Sequence, residues 1–227
     1  MQGMKVVQLL LVFLLPLATL AQASGARPDS VTVAVHFGSD NAELNQLMSR
    51  VLHIDKLHFE VHSPQLADHI FHLTYQEVRN GVASPEKELA GNPARLLSFD
   101  KQGNFTMDAF ARQATETTLE NTFLFAAGAN KKTFTAQPGQ GGRYSLRADM
   151  WPYKALKTPG PAVAGRQPTA THTFPVGQKV PFLVYTLPYE EDGYLLYCQL
   201  AQSNVPVSEW FTKFKIAHFV VYNLVVE

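Results

Sequence analysis

Ser30-Val31-Thr32-Val33-Ala34-Val35-His36-Phe37 is the stretch whose reading decides the fold class. Val31, Val33, Val35 and Phe37 alternate with Thr32, Ala34 and His36. Period-two alternation rich in β-branched residues describes a half-buried strand. The period returns over 57–62, with Leu57, Phe59 and Val61 on one side and His58, Glu60 and His62 on the other. It returns again where Phe71, Leu73 and Tyr75 oppose His72, Thr74 and Gln76, and Asn80-Gly81 closes that segment as a turn dipeptide. These last two segments are expected to form an antiparallel pair. Further strands are expected over 121–127, 132–136, 143–148, 179–187 and 194–200, with a hairpin-like loop at Pro138-Gly139-Gln140-Gly141-Gly142. The tail, 216–226, is apolar on both faces, as a central or doubly covered strand is. The expected class is therefore α+β and sheet-dominated, mostly antiparallel and sandwich-like, with one clear amphipathic helix near the N-terminus.

That helix follows the first strand. Leu44, Leu47, Met48, Val51 and Leu52 recur at helical spacing and make one apolar stripe, expected to pack on a sheet and to end near His53. Asp40 followed three residues later by Glu43 resembles a capping box. The 105–119 stretch reads two ways. Met107, Phe110, Ala111 and Ala114, with the Asp108–Arg112 and Arg112–Glu116 spacings, suit a helix. The threonines at 115, 117 and 118 argue for strand. Toward the tail, Ser208 is placed to cap a single helical turn through Phe214.

The first residues read as an address. Lys5 precedes an apolar run over 6–20, and Ala21-Gln22-Ala23 supplies the small residues of a signal-peptidase site before Ser24. A bilayer anchor wants about 20 apolar residues; this run is shorter and contains Pro16. The expected organisation is a signal peptide over 1–23 and a single β-rich domain over 24–227. A Pro/Gly/Ala-rich loop at 158–171 (TPGPAVAGRQPTAT) is expected to be exposed and flexible. Removing the leader leaves some two hundred residues, long enough to bury a core unaided. The single cysteine, Cys198, excludes an intramolecular disulfide. A disulfide-free exported domain of this size fits a bacterial periplasm or cell surface. Lysine and arginine total 19 against 19 acidic residues, so there is no electrostatic case for nucleic acid or for an anionic membrane surface. No second apolar stretch approaches spanning length, so no stable membrane insertion is expected after cleavage.

The chemistry-bearing residues offer three candidates. His53, His58, His62, His69 and His72 crowd one span. The 58–62 segment lacks the order of a helical zinc-protease motif, in which the glutamate follows the first histidine directly. Residues four apart on a strand are separated by about 13 Å, too far to share an ion whose Zn–N bonds are about 2 Å. Any metal site here would use Glu60 and His72, brought opposite each other by pairing the two strands, with His58 or His62 beside them. The plainer account is a solvent-facing polar stripe. The second candidate is Trp151 with Tyr153, aromatic residues beside Pro152 and outside any clear strand, placed to bind a ligand at the surface. The third, the acidic turn Glu190-Glu191-Asp192-Gly193, lacks the alternating ligands of a calcium loop. No G-x-S-x-G elbow occurs, and no phosphate-binding or dinucleotide glycine motif, so no catalytic residue and no cofactor is assigned. Cys198, between Tyr197 and Leu200, reads as a small buried hydrophobe rather than a thiolate.

The leader ending Leu20-Ala21-Gln22-Ala23 before Ser24 resembles those of many secreted Bacteroidetes proteins. The tail, with Val180-Pro181-Phe182-Leu183-Val184-Tyr185, Cys198 and Phe219-Val220-Val221-Tyr222-Asn223-Leu224, resembles uncharacterised secreted families of that phylum. The resemblance covers the last quarter of the chain and implies export, with no activity attached to it. The functional expectation is a non-enzymatic cell-envelope or surface domain that binds a protein partner or a glycan. The alternative is a small secreted hydrolase or metal-dependent enzyme built on the histidine and glutamate cluster.

Overall fold

A computed structural model describes residues 29–139, 142–148, 169–201, 203 and 205–227. Its elements, in chain order, begin with β1 (Ser30–Phe37), α1 (Ala42–Gln46) continued by a π-helical turn (Leu47–Val51), β2 (Ile54–His62) and β3 (Phe71–Arg79). Short strands β4 (Val82–Ala83) and β5 (Lys87–Glu88) and helix α2 (Pro93–Leu96) lead to β6 (Asn104–Thr115), β7 (Thr118–Phe125), β8 (Gly128–Thr135) and β9 (Ser145–Arg147). The remainder is β10 (Thr169–Pro175), β11 (Val180–Thr186), β12 (Tyr189–Glu191), β13 (Tyr194–Leu196), α3 (Cys198–Ala201), α4 (Trp210–Phe214) and β14 (His218–Val226).

The strands form two main sheets. One runs β10-β1-β2-β6-β7-β8; the other runs β4-β3-β14-β11-β9, with β5 also on β3. Every strand pairing among the described residues is antiparallel. The sheet-dominated, sandwich-like class read from the alternation is the class observed. Inward side chains from both sheets meet in one buried aromatic zipper. Phe71 stacks on Phe105 across the sheets at 4.4 Å between ring centroids, and Phe182 lies 4.9 Å from Phe59 and 5.4 Å from Phe174. Phe123 meets Tyr222 at 5.0 Å. Such tilted and offset pairs add about 0.5–1.5 kcal/mol each beyond the area they bury. A β-bulge between Pro181 and Leu183 leaves Phe182 without a partner across the ladder, and its ring is wholly buried among these phenylalanines.

The second sheet has a cover on its outer face, which is why its central strand is apolar on both sides. β14 lies between β3 and β11, as its composition predicts, and Trp210 of α4 packs 5.3 Å from Phe219. The indole N–H donates to the Val205 carbonyl at 3.0 Å. The helical turn expected through Phe214 is present as α4, but Ser208 does not cap it: Ser208 lies inside a 3-10 turn (Val207–Glu209), and Glu209, without a side-chain cap bond, stands at the N-terminus of α4. Asn80 and Gly81 both have positive φ and make the tight β3–β4 turn, and Asp192-Gly193 does the same between β12 and β13.

Several expectations are corrected. The 57–62 and 71–76 segments are not a pair. Each buries the face expected, but β2 belongs to the first sheet, between β1 and β6, and β3 to the second, against β14. Alternation dictates which face is buried and says nothing about which strand lies alongside. The connection crosses between the sheets through a 3-10 turn (Pro64–Leu66) whose Leu66 is wholly buried. Likewise β8 and β9 flank no hairpin; they are edge strands of different sheets. The 105–119 stretch, open between helix and strand in the sequence, is β6 followed by a turn at 116–117 into β7, with Phe105, Met107, Ala109 and Ala111 all facing the core. The 194–200 segment breaks into β13 and the start of α3, which contains Cys198. The helix near the N-terminus exists, but Asn41, not Asp40, caps it, its side chain accepting from the Leu44 amide at 3.0 Å.

The core also carries a polar row. Asp55, Ala111, Asn121 and Lys132 stand opposite one another across β2, β6, β7 and β8. Tyrosines from the facing sheet cover them. Tyr222 donates to Asn121 Oδ1 at 2.5 Å, and the Lys132 ammonium sits 5.3 Å from the Tyr75 ring centroid. Burial pushes the phenols of Tyr185 and Tyr222 upward, and for Tyr185 the Asp55 carboxylate adds to the effect.

Phe182 should be the most sensitive single point in this packing. Phe182→Ala removes a ring that touches Phe59, Phe71 and Phe174 at once, and is expected to cost roughly 3–5 kcal/mol in urea unfolding.

Candidate functional site

The histidines fall on two different surfaces. On the outer face of the first sheet, His58 lies between two carboxylates: Nδ1 is 2.9 Å from Asp108 Oδ1 and Nε2 is 3.0 Å from Glu60 Oε1. His36, directly across from His58 on β1, approaches Glu60 at 3.6 Å, and Lys56 approaches Asp108 at 3.3 Å. His62 bonds to Asn104 at 2.7 Å on the same face. His72 is elsewhere, on the second sheet, where its Nε2 meets Glu88 at 3.2 Å. The expected Glu60–His72 pair therefore does not form, because their strands are not neighbours. Among the described residues, no three His, Cys, Asp or Glu side chains are placed to hold a metal ion. What the strands do assemble, His36, His58, Glu60 and Asp108, is an exposed stripe of cross-strand pairs, each worth about 0.2–1 kcal/mol. His36 and Asp108 were missed because their neighbourhood depends on which strands pair. Trp151 and Tyr153 lie outside the described residues, as does nearly all of the 158–171 loop.

A second constellation is buried and leaves no trace in the sequence. Glu77 on β3, His218 on β14 and Tyr144 just before β9 line up as carboxylate, imidazole and phenol. The Glu77 carboxylate can only accept, so His218 Nε2–H donates to it at 2.7 Å and Nδ1 accepts the Tyr144 hydroxyl at 2.6 Å. Arg79 pairs with Glu77 at 2.6 Å and donates to the Thr135 carbonyl at 2.6 Å. The Tyr144 oxygen also accepts from the Gln137 amide at 3.0 Å. The order is that of an activated nucleophile, base and orienting group. Here the phenol oxygen is buried and both its bonds are internal, so the line acts as a clasp. It ties the end of β8 to the second sheet where the chain crosses over. Desolvation holds the His218 imidazole below the ordinary histidine range, against the pull of Glu77, and burial pushes the Tyr144 phenol up to about 12.

The most unusual surface is the helix expected to be packed. Only Met48 of its stripe is buried; Leu44 is 45 % exposed, Leu47 45 %, Val51 66 % and Leu52 49 %. The reason is local. The turn over Leu47–Val51 is π-helical, with the Leu52 amide donating to the Leu47 carbonyl at 2.9 Å, so the backbone is under-wound there. The stripe splits, one methionine turning in and four aliphatic side chains turning out. Among the described residues, no helix is long and apolar enough to cross a membrane. Comparison with protein-family models, with curated sequences and with solved structures finds no match for this chain.

The clasp sets a pH window. His218 has a depressed folded-state value, so its stabilising contribution is complete above about pH 6.5, the unfolded histidine value, and is lost as the pH falls through the folded value. Tyr144, raised to about 12, stabilises below pH 10 and loses that as the pH rises through its folded value. Urea midpoints taken from pH 8 to pH 5 should fall in the unaltered protein, and His218→Gln should flatten that acid limb.

Proposed function

We propose that this chain is an exported, non-enzymatic surface domain that docks the helix over 42–52 into an apolar groove of a partner protein. The observation that carries the reading is the outward set Leu44, Leu47 and Val51, spaced i, i+3 and i+7. That spacing is the one by which amphipathic helices insert into grooves, and contiguous exposed aliphatic surface on a soluble domain marks interaction sites. The helix is held ready for this. Asn45 accepts from the Ser39 amide at 3.3 Å, the Gly38 amide donates to the Lys56 carbonyl at 2.9 Å, and Met48 anchors the inner side. Glu43 and Arg50 flank the stripe at opposite ends, giving a partner two charges of opposite sign to read.

A partner groove fits better than a second copy of the same face. A stable interface buries about 1,200–2,000 Å² in total, more than two sets of four half-exposed aliphatic side chains supply. A concave groove, by contrast, buries such a ridge on three sides. Export is supported by the leader pattern of residues 1–23 and by the resemblance of leader and tail to secreted Bacteroidetes families. The missing convergence of Glu60 with His72 counts against the hydrolase reading.

The test is the double variant Leu47→Glu/Val51→Glu, with Val82→Glu as an exposed apolar control elsewhere. A photocrosslinker placed at Ser49 should trap a discrete envelope protein. The helix variant should abolish that product and the control should retain it, with thermal unfolding unchanged in both. Crosslinking that survives the helix variant refutes the docking face, and a product of twice the chain mass points to self-association instead.

A further inference from the structure

At the end of the sandwich where β2 begins, a cleft of about 230 Å³ opens between His53, Gln113, Thr115, Glu116, Arg143 and Tyr144. It shares no lining residue with the helix face or with the exposed histidine stripe, although His53 directly follows Leu52. Its walls come from three places: the left-handed residue His53, the tip of the β6–β7 hairpin, and the two residues that lead into β9. Four of the six lining groups are planar and present paired donors or acceptors: a guanidinium, a carboxylate, a carboxamide and an imidazole. Thr115 adds a hydroxyl, while Tyr144 contributes its ring edge, its own hydroxyl being engaged with Gln137 and His218.

The walls are fixed from behind. Tyr144 is held by Gln137 and His218. Asp55 accepts from Ser145 Oγ and the Leu146 amide, both at 2.9 Å, and faces Arg143 at 3.5 Å. Tyr197 donates to the Arg143 carbonyl at 2.6 Å, and Gln113 Nε2 donates to the Glu116 carbonyl at 3.3 Å. A site preset in this way loses little freedom on binding. The Arg143 side chain is 40 % exposed, so part of the guanidinium stays accessible beside its contact with Asp55.

Charge and size select the class of ligand. Among the described residues, Asp55 backs the one guanidinium that lines the cleft and Glu116 also lines it, so these side chains carry no net positive charge to attract a phosphate or a carboxylate. The volume lies below the roughly 300–1,000 Å³ of clefts for drug-sized ligands, which admits one ring and not a chain of them. We propose that this cleft binds a single ring of a neutral sugar, its adjacent hydroxyls paired by Arg143, Glu116 and Gln113. Surface glycans presented by a neighbouring cell or matrix supply that chemistry, and the site is independent of partner docking through the helix.

The experiment is saturation-transfer difference NMR on the purified protein. Glucose, galactose, mannose and N-acetylglucosamine serve as neutral probes, with glucuronate and inorganic phosphate as competitors. At least one neutral sugar should receive transfer with millimolar affinity. Glu116→Ala and Gln113→Ala, both at the hairpin end and away from the core, should each weaken it about tenfold, the loss of one good hydrogen bond. Leu47→Glu/Val51→Glu should leave it unchanged. Silence from all four sugars, transfer indifferent to both cleft variants, or displacement by glucuronate or phosphate would overturn the assignment.

Discussion

Face-to-face packing of two antiparallel sheets through phenylalanine is the constraint under which every other feature operates. Phe59, Phe71, Phe105, Phe174 and Phe182 are contributed by five strands of two sheets, and their rings touch in one connected group. With no disulfide available to the described core, burial of this aromatic surface must supply most of the cohesion that small secreted domains often take from cross-links. It also sets where polarity is tolerated. The inner row of Asp55, Asn121 and Lys132 lies toward one end of the zipper. There tyrosines replace phenylalanines as the facing residues and bring hydroxyls or ring faces to meet it. The cleft beside Tyr144 and the Glu77–His218–Tyr144 clasp both sit where the oily packing gives way to this polar end.

Much of the fold was legible because strand alternation writes burial directly into sequence. Val31, Val33, Val35, Leu57, Phe59, Val61, Phe71 and Leu73 all face the core as their spacing requires. The doubly apolar tail is the central strand. What alternation does not encode is adjacency, and the errors share that origin: β2 was matched to β3 and β8 to β9 because they are consecutive along the chain. Two other segments show chemical limits, one an ambiguity over 105–119 and one a misplaced face. Ala109 and Ala111 contribute too little β signal to reveal a strand that helix-like charge spacing disguised. Leu44, Leu47, Val51 and Leu52 satisfied a helical stripe whose π turn then rotated most of it away from the core.

The site was less legible than the fold. The pairing of His58 with Glu60 is short-range and visible in the sequence, but its partners His36 and Asp108 come from flanking strands. Glu77, Tyr144 and His218 are separated by 67 and 74 residues along the chain, and only the completed second sheet aligns them. Arg143 and Glu116 face one cleft for the same reason. Residues that act together through topology carry no motif, so composition and spacing had nothing to detect.

β8 forms one border of the first sheet: among the described residues it pairs with β7 on one side and with no strand on the other, where Arg79 takes the Thr135 carbonyl at its end. Such a border invites another chain to extend the sheet. Lys131 points outward toward Glu120, while Lys132 points inward beneath the Tyr75 ring, where burial and the nearby Lys87 lower its proton affinity. A strand added alongside would have to enclose that inward ammonium still further, far from water. The border is thus guarded by an electrostatic toll rather than by a physical cap, so crowded molecules should stay apart there even at high concentration.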